Sequence, residues 1–163
     1  MPKKKKRTQP KNNPKKRLSA EQRIALLLDE DSFVELDKEV LLQSHNFNLQ
    51  EKKTERDGVL IGHGTIQKRK VCVYAQEFSH MGGSMGEMHN KKIAKIMELA
   101  LSMGCPIIGL LDSGGARIQE GIQGLDGGGN IFRLNTQSSG VIPQISAILV
   151  PCAFMRVLSP TLT

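Results

Sequence analysis

At 163 residues, with 39% hydrophobic side chains and no Trp, the chain has room for one domain with an aliphatic, Met-containing core, and no apolar run reaches the roughly 20 residues of a membrane span. Nine of the 23 Lys and Arg lie within residues 1–17, which hold no acid, so the +7 net charge belongs to a tail. The remainder sets 14 basic against 16 acidic residues, a balance of −2, and its charge says nothing of a nucleic-acid partner.

Residues 1–17 contain Pro2, Pro10 and Pro14 and no apolar period, and are expected to be a disordered basic tail ahead of a domain over 18–163. They lack the apolar segment of a secretory signal and the amphipathic character of an organelle presequence. Lys3–Arg7 would also suit a nuclear import run or a nucleic-acid patch, beside the plainer reading of a solvated extension.

Ser19, with Gln22 three residues on, has the form of a capping box, and Ile24, Leu27 and Leu28 extend a helix to about Asp29. Phe33–Leu36 reads as extended, and the polar stretch 43–57 as a mobile loop. Period-two alternation then predicts strands over Val59–Ile66 and Val71–Ala75, joined by the charged turn Gln67–Lys70. A glycine loop, Met81–Gly86, precedes a helix over about Glu87–Met103, stopped by Gly104 as its C-cap and by Pro106. Ile107–Leu111 is a continuous apolar strand of the kind buried on both faces. Asp112–Arg117 reads as a tight turn into another helix start. A second glycine-rich stretch, Gly124–Gly129, leads into Ile131–Asn135, and the last half of Val141–Val150 reads as another buried strand. Strand, glycine turn, helix, strand is the grammar of an α/β layered domain.

Cys72, Cys105 and Cys152 are odd in number and form no CxxC pair, which argues against a zinc ribbon or a disulfide framework and for three small buried side chains. The four histidines show no metal-ligand spacing; His80 is of interest only because it precedes the glycine loop. Where a loop of small residues gives way to a helix, backbone N–H groups point outward toward anions, and glycine lets a ligand approach them. Neither loop has a phosphate signature, no GxSxG elbow appears and no base is placed for Ser113. Tight turns needing positive φ account for the glycines equally well. A chemistry resting on backbone amides, such as polarising a thioester carbonyl into an enolate, fits what is present.

The segments DGVLIGHGTI, GGSMGEMHNKKIAKIMELAL, GCPIIGLLDSGGARIQEGI, GNIFRLN and SSGVIPQISAILVPCA resemble the carboxyltransferase subunits of biotin-dependent acyl-CoA carboxylases, propionyl-CoA carboxylase among them. RLSAEQRIALLLDEDSFVELD is similar to the family's opening segment, so the likeness covers about residues 17–153. It implies a crotonase-like domain of repeated ββα units. It implies transfer of carboxylate from carboxybiotin, carried on a partner protein, to the α-carbon of a short acyl-CoA, with the biotin ureido nitrogen taking the α-proton. By motif, Gly114 and Gly115 would supply oxyanion-hole amides, Gly82, Gly83, Ser84 and Ala116 would line the same substrate pocket, and no metal is implied. Whether the glycine pair faces the thioester or the ureido oxyanion stays open. Arg117 and Glu120 would lock the turn. The implied partners are a biotin carboxylase or biotin carrier subunit and further copies of the subunit, in the cytoplasm or, in a eukaryote, the mitochondrial matrix. The absence of a Cys₄ ribbon favours propionyl-type over bacterial acetyl-type substrates, and sodium-pumping decarboxylase subunits share the motifs.

Phe154, Met155 and Arg156 stand where the family has two glycines and an alanine, Gly127-Gly128 replace its Gly-Tyr, and Thr163 falls before the family's biotin-side domain. The expectation is therefore an amino-terminal piece with half a site. A non-catalytic remnant, and a nucleic-acid-associated protein acting through its basic tail, are the competing readings.

Overall fold

A computed structural model describes residues 17–43 and 55–149. The tail over residues 1–16, most of the loop expected at 43–57, and the segment carrying Cys152 and Phe154–Arg156 lie outside the described residues.

Ser19 caps α1 (Ala20–Leu27) as expected. Its hydroxyl accepts from the Gln22 amide at 3.2 Å and the Gln22 side chain accepts from the Ser19 amide at 3.0 Å. The helix stops two residues earlier than predicted, and Asp29 serves the next hairpin instead. Its carboxylate accepts from the Gln67 and Lys68 amides at 2.9 and 2.8 Å and from the Thr65 hydroxyl at 2.6 Å. Those bonds, the Thr65 hydroxyl first, hold its pKa below the ordinary carboxylate value. Gln67 and Lys68 both have positive φ, 50° and 65°, the conformation of a two-residue hairpin turn that follows the strand twist. Asp29 clamps two residues into a turn that elsewhere favours Asn-Gly.

The strands β1 (Val34–Leu36), β2 (Val59–Ile66), β3 (Arg69–Gln76), β4 (Ile107–Leu111) and β5 (Gln144–Ile148) form one sheet in sequence order. The pairs β1–β2 and β2–β3 are antiparallel; β3–β4 and β4–β5 are parallel. The helices α2 (Glu87–Met103) and α3 (Ile122–Ser138) make the two crossovers. Alternation along the strands builds two cores. Ile61, Tyr74, Ile107 and Leu111 pack with Ile93, Met97 and Leu134 of α2 and α3, whereas Leu60, Val73, Ile108 and Leu110 pack with Ile24 of α1 on the other face. Gly109, paired with Tyr74, leaves room for the phenol: a Cβ there would sit 2.5 Å from the Tyr74 ring. Cys72 and Cys105 are buried and unbridged, their sulfurs 3.6 Å apart, and burial pushes the Cys72 thiol up to about 12. The predicted stop of α2 holds, with Gly104 left-handed at φ 62°.

Three expectations are corrected. Gly124–Gly129, expected as a glycine-rich lead into Ile131–Asn135, lies inside α3. The Gly124 carbonyl accepts from the Asn90 side chain at 2.8 Å, and a Cβ on Gly127 would lie 2.6 Å from that of Asn90. The glycines thus let two helices touch. Strand β5 is not buried on both faces: Ile145 and Ile148 are about half exposed, since no described element covers the far side of this edge strand. Finally, Arg56 and Asp57, expected within a mobile loop, form an anchored turn (Glu55–Gly58) in which Asp57 is fully buried.

The two kinds of helical glycine are separable by mutation. Gly127→Ala is expected to cost about 1–3 kcal/mol through overpacking on Asn90. Gly129→Ala, with nothing within 4 Å of the new methyl, is expected to be neutral or to stabilise by up to about 1 kcal/mol. Urea unfolding midpoints of the two variants check the contrast.

Candidate functional site

Strand β4 ends at Leu111, and Asp112–Arg117 turns back beside the loop that follows β3. The two segments are sewn together. The Gly114 amide donates to the Gly82 carbonyl at 2.7 Å, and the Met85 amide to the Gly115 carbonyl at 2.8 Å. The Arg117 amide returns to the Met85 carbonyl at 2.9 Å. A parallel bridge thus pairs Met85 with Ala116. Because extended backbone alternates its amides, residues 115 and 117 face Met85 and the Ala116 N–H faces away; among the described residues it has no acceptor. Between the two loops lies an open hollow of about 390 Å³, walled by Met81, Gly82, Ser84, Gly114, Ala116 and Ile118, with Phe78 and Gln119 at its margin. None of these side chains ionises.

Beneath the hollow sits Arg117, fully buried. Its guanidinium donates to Asp57 at 2.5 Å, to Glu120 at 2.8 Å, and to the Ser84 carbonyl and hydroxyl at 2.8 and 3.2 Å. Both carboxylates go on to cap α2. Glu120 accepts from the Glu87 amide at 2.5 Å and Asp57 from the His89 amide at 2.9 Å. The helix's own N-cap, Gly86, has no side chain with which to do so, and a Cβ there would lie 2.5 Å from the Arg117 guanidinium.

Burial raises the Asp57 pKa against the pull of Arg117, and pushes the buried amine of Lys92 down to about 8. That amine donates to the Arg56 and Val59 carbonyls at 3.0 and 2.7 Å, closing the same turn. His89 is held down at about 3 by burial and then by Arg117, and is neutral. Its Nδ1 lies 2.9 Å from the Asp57 carbonyl, which can only accept, so Nδ1 carries the proton and Nε2 accepts from the Gln76 side chain at 3.2 Å. Gln76 in turn accepts from the Asp112 amide at 3.1 Å. One chain of polar contacts therefore runs from the end of β4 to the floor of the hollow.

Of the expected pocket residues, Gly82, Ser84, Gly114 and Ala116 come together at the wall. Gly83 and Gly115 are buried behind it, and a Cβ on Gly83 would strike the Asp112 carbonyl. The amides of Gly114 and Gly115 have internal acceptors, Gly82 O and the Ser113 hydroxyl at 3.1 Å. His80 lines a separate hollow of about 320 Å³ with Ser19, Arg56 and Glu77. Arg117 and Glu120 pair within the turn. Sequence reasoning missed Asp57, Gln76 and His89, whose partners lie 13 to 60 residues away; the Asp-Gly dipeptide at 57–58 reads locally as a turn.

Comparison with known proteins places the chain among relatives. The carboxyl transferase domain model matches residues 11–163. The propionyl-CoA carboxylase beta chain of Saccharopolyspora erythraea is 50% identical over 153 residues, 94% of this chain and 28% of that protein. A biotin-dependent acetyl-/propionyl-coenzyme A carboxylase beta5 subunit of Mycobacterium tuberculosis is 51% identical over the same shares. Among solved structures, a transcarboxylase 12S with methylmalonyl-coenzyme A and methylmalonic acid bound, described as a hexamer assembly, superposes with a TM-score of 0.87 at 43% identity, covering 89% of this chain and 28% of that one. The chain thus spans under a third of the length of these relatives.

His89 gives the site a pH signature. Its folded pKa of about 3 lies below the ordinary 6.5, so unfolding takes up a proton between those values. This contribution is full above pH 6.5 and is lost progressively as pH falls toward 3. Asp57, its pKa raised, works in the opposite sense near its own titration. Unfolding free energy of the chain is expected to fall more steeply from pH 6.5 to 4.5 than that of His89→Gln, as read by denaturant titration at each pH.

Proposed function

The chain belongs to the carboxyl transferase domain family, among crotonase-like carboxyltransferases of the propionyl-CoA and methylmalonyl-CoA type, and from that premise we propose that its hollow receives the thioester end of a short acyl-CoA. The observation that carries this reading is the Ala116 amide, a donor without a described acceptor on a wall free of ionising side chains. When an α-proton leaves, negative charge moves onto the thioester oxygen, and a fixed N–H at that oxygen lowers the barrier; one such donor is worth roughly 10²–10³ in rate elsewhere. Gly114 and Gly115, expected to be the donors themselves, are assigned a different part. Their amides hold the turn, and the Gly115 φ of 114°, a conformation that favours glycine, aims the Ala116 amide outward.

No residue of the wall can accept the α-proton, which is consistent with a base arriving from the other reactant. Carboxybiotin on a partner protein would supply the carboxylate. A wall of N–H and O–H donors without charge suits the neutral carbonyl oxygens of a thioester and of a ureido ring alike. The biotin side of the reaction, a biotin carrier or biotin carboxylase partner and assembly with further copies are proposed from the relatives, which extend well beyond the matched segment.

Titration of propionyl-CoA into the full chain tests the reading. Ala116→Leu puts a branched side chain on the wall and is expected to weaken binding about tenfold or more, the equivalent of about 1.4 kcal/mol, with an unchanged circular dichroism spectrum. Absence of binding by the parent chain, or equal binding by the variant, would refute it.

A further inference from the structure

The Ser84 hydroxyl is held in one hydrogen-bonding role. It accepts from the Arg117 Nε at 3.2 Å while the same guanidinium donates to the Ser84 carbonyl at 2.8 Å, so oxygen and backbone are gripped together. A serine hydroxyl has one hydrogen to give and lone pairs to receive with. Here a cation occupies the accepting side. The hydrogen has no acceptor among the described residues, and Ser84 lines the hollow. A hydroxyl that receives from a cation is polarised into a better donor.

We propose that Ser84 is a specificity-determining residue of the hollow: a committed donor, oriented by Arg117, that reads an oxygen acceptor on the bound molecule and discriminates against a ligand without one. The inference rests on the acyl-CoA reading above and deepens it, naming the thioester carbonyl oxygen as the group read, jointly with the Ala116 amide. Arg117 acts here as a positioning residue. It is buried and touches only Ser84, Asp57 and Glu120 among these groups.

The test compares two ligands of nearly equal size, propionyl-CoA and its thioether S-propyl-CoA, in which a methylene replaces the carbonyl. The parent chain is expected to prefer the thioester by about tenfold or more, the worth of a hydrogen bond whose partner would otherwise go unmet. Ser84→Ala should lose most of that preference by weakening propionyl-CoA while leaving S-propyl-CoA unchanged. Ser84→Thr, which keeps the hydroxyl on an extended backbone (φ −65°, ψ 140°), should retain it. A merely structural serine would weaken both ligands together in the alanine variant, and that result overturns the proposal. So does a parent chain that binds both ligands without preference, an outcome that leaves the acyl-CoA reading standing. Failure of the parent chain to bind either ligand overturns both readings. Thermal melting of each variant keeps loss of fold distinct from loss of recognition.

Discussion

A single guanidinium, that of Arg117, fixes the relation between every loop that matters to the hollow. It is fully buried and spends its donors on the Glu55–Gly58 turn, on the loop before α2 and on the turn after β4. Stripping such a group of water costs several kcal/mol, which its partners only about repay. The cluster is therefore better understood as setting register than as adding stability. Its geometry sets the arrangement of the two glycine loops, and in that arrangement the Ala116 amide and the hydrogen of the Ser84 hydroxyl have no acceptor among the described residues.

The charge arithmetic of the cluster explains the start of α2. The Arg117 guanidinium pairs with two buried carboxylates, and the Lys92 amine, which closes the same turn, lies near Asp57 as a second cation. The amides of Glu87 and His89 point at those carboxylates, and the positive end of a 17-residue helix offsets about half an elementary charge. The helix is thus capped by residues 32 and 33 positions away instead of by its neighbour. Glycine at position 86 is a consequence: the place where a Ser or Asp cap would sit is filled by Arg117 and Glu120.

Much of this was legible in the sequence. The alternation of Val59–Ile66, the apolar run Ile107–Leu111, the Ser19–Gln22 box and the Gly104 stop all act over a few residues, and local rules read them correctly. The likeness to carboxyltransferases, carried by the glycine segments, located four of the wall residues. The readings that failed share a cause: each depends on a partner distant in sequence. Asp57 looks like loop because its counter-charge is at position 117. Gly124–Gly129 looks like punctuation because its reason, Asn90, belongs to another helix. Ile145 and Ile148 look like core, since apolar residues cannot announce whether anything will cover them. The Gly114 amide meets its acceptor, Gly82 O, only when the two loops come together.

The 60-residue separation of Asp57 from Arg117 has a consequence for the order of events in folding. A chain synthesised from its amino end at about 5–20 residues per second presents the carboxylate roughly 3–12 s before the guanidinium that neutralises it. In that interval the β2–β3 hairpin, built from neighbouring residues, can form, but burying Asp57 would leave an uncompensated charge. The turn at its base must wait in water until β4 has docked and delivered position 117. The hollow accordingly closes only after β4 has docked, and its assembly reports that the parallel β3–β4 pair is in place.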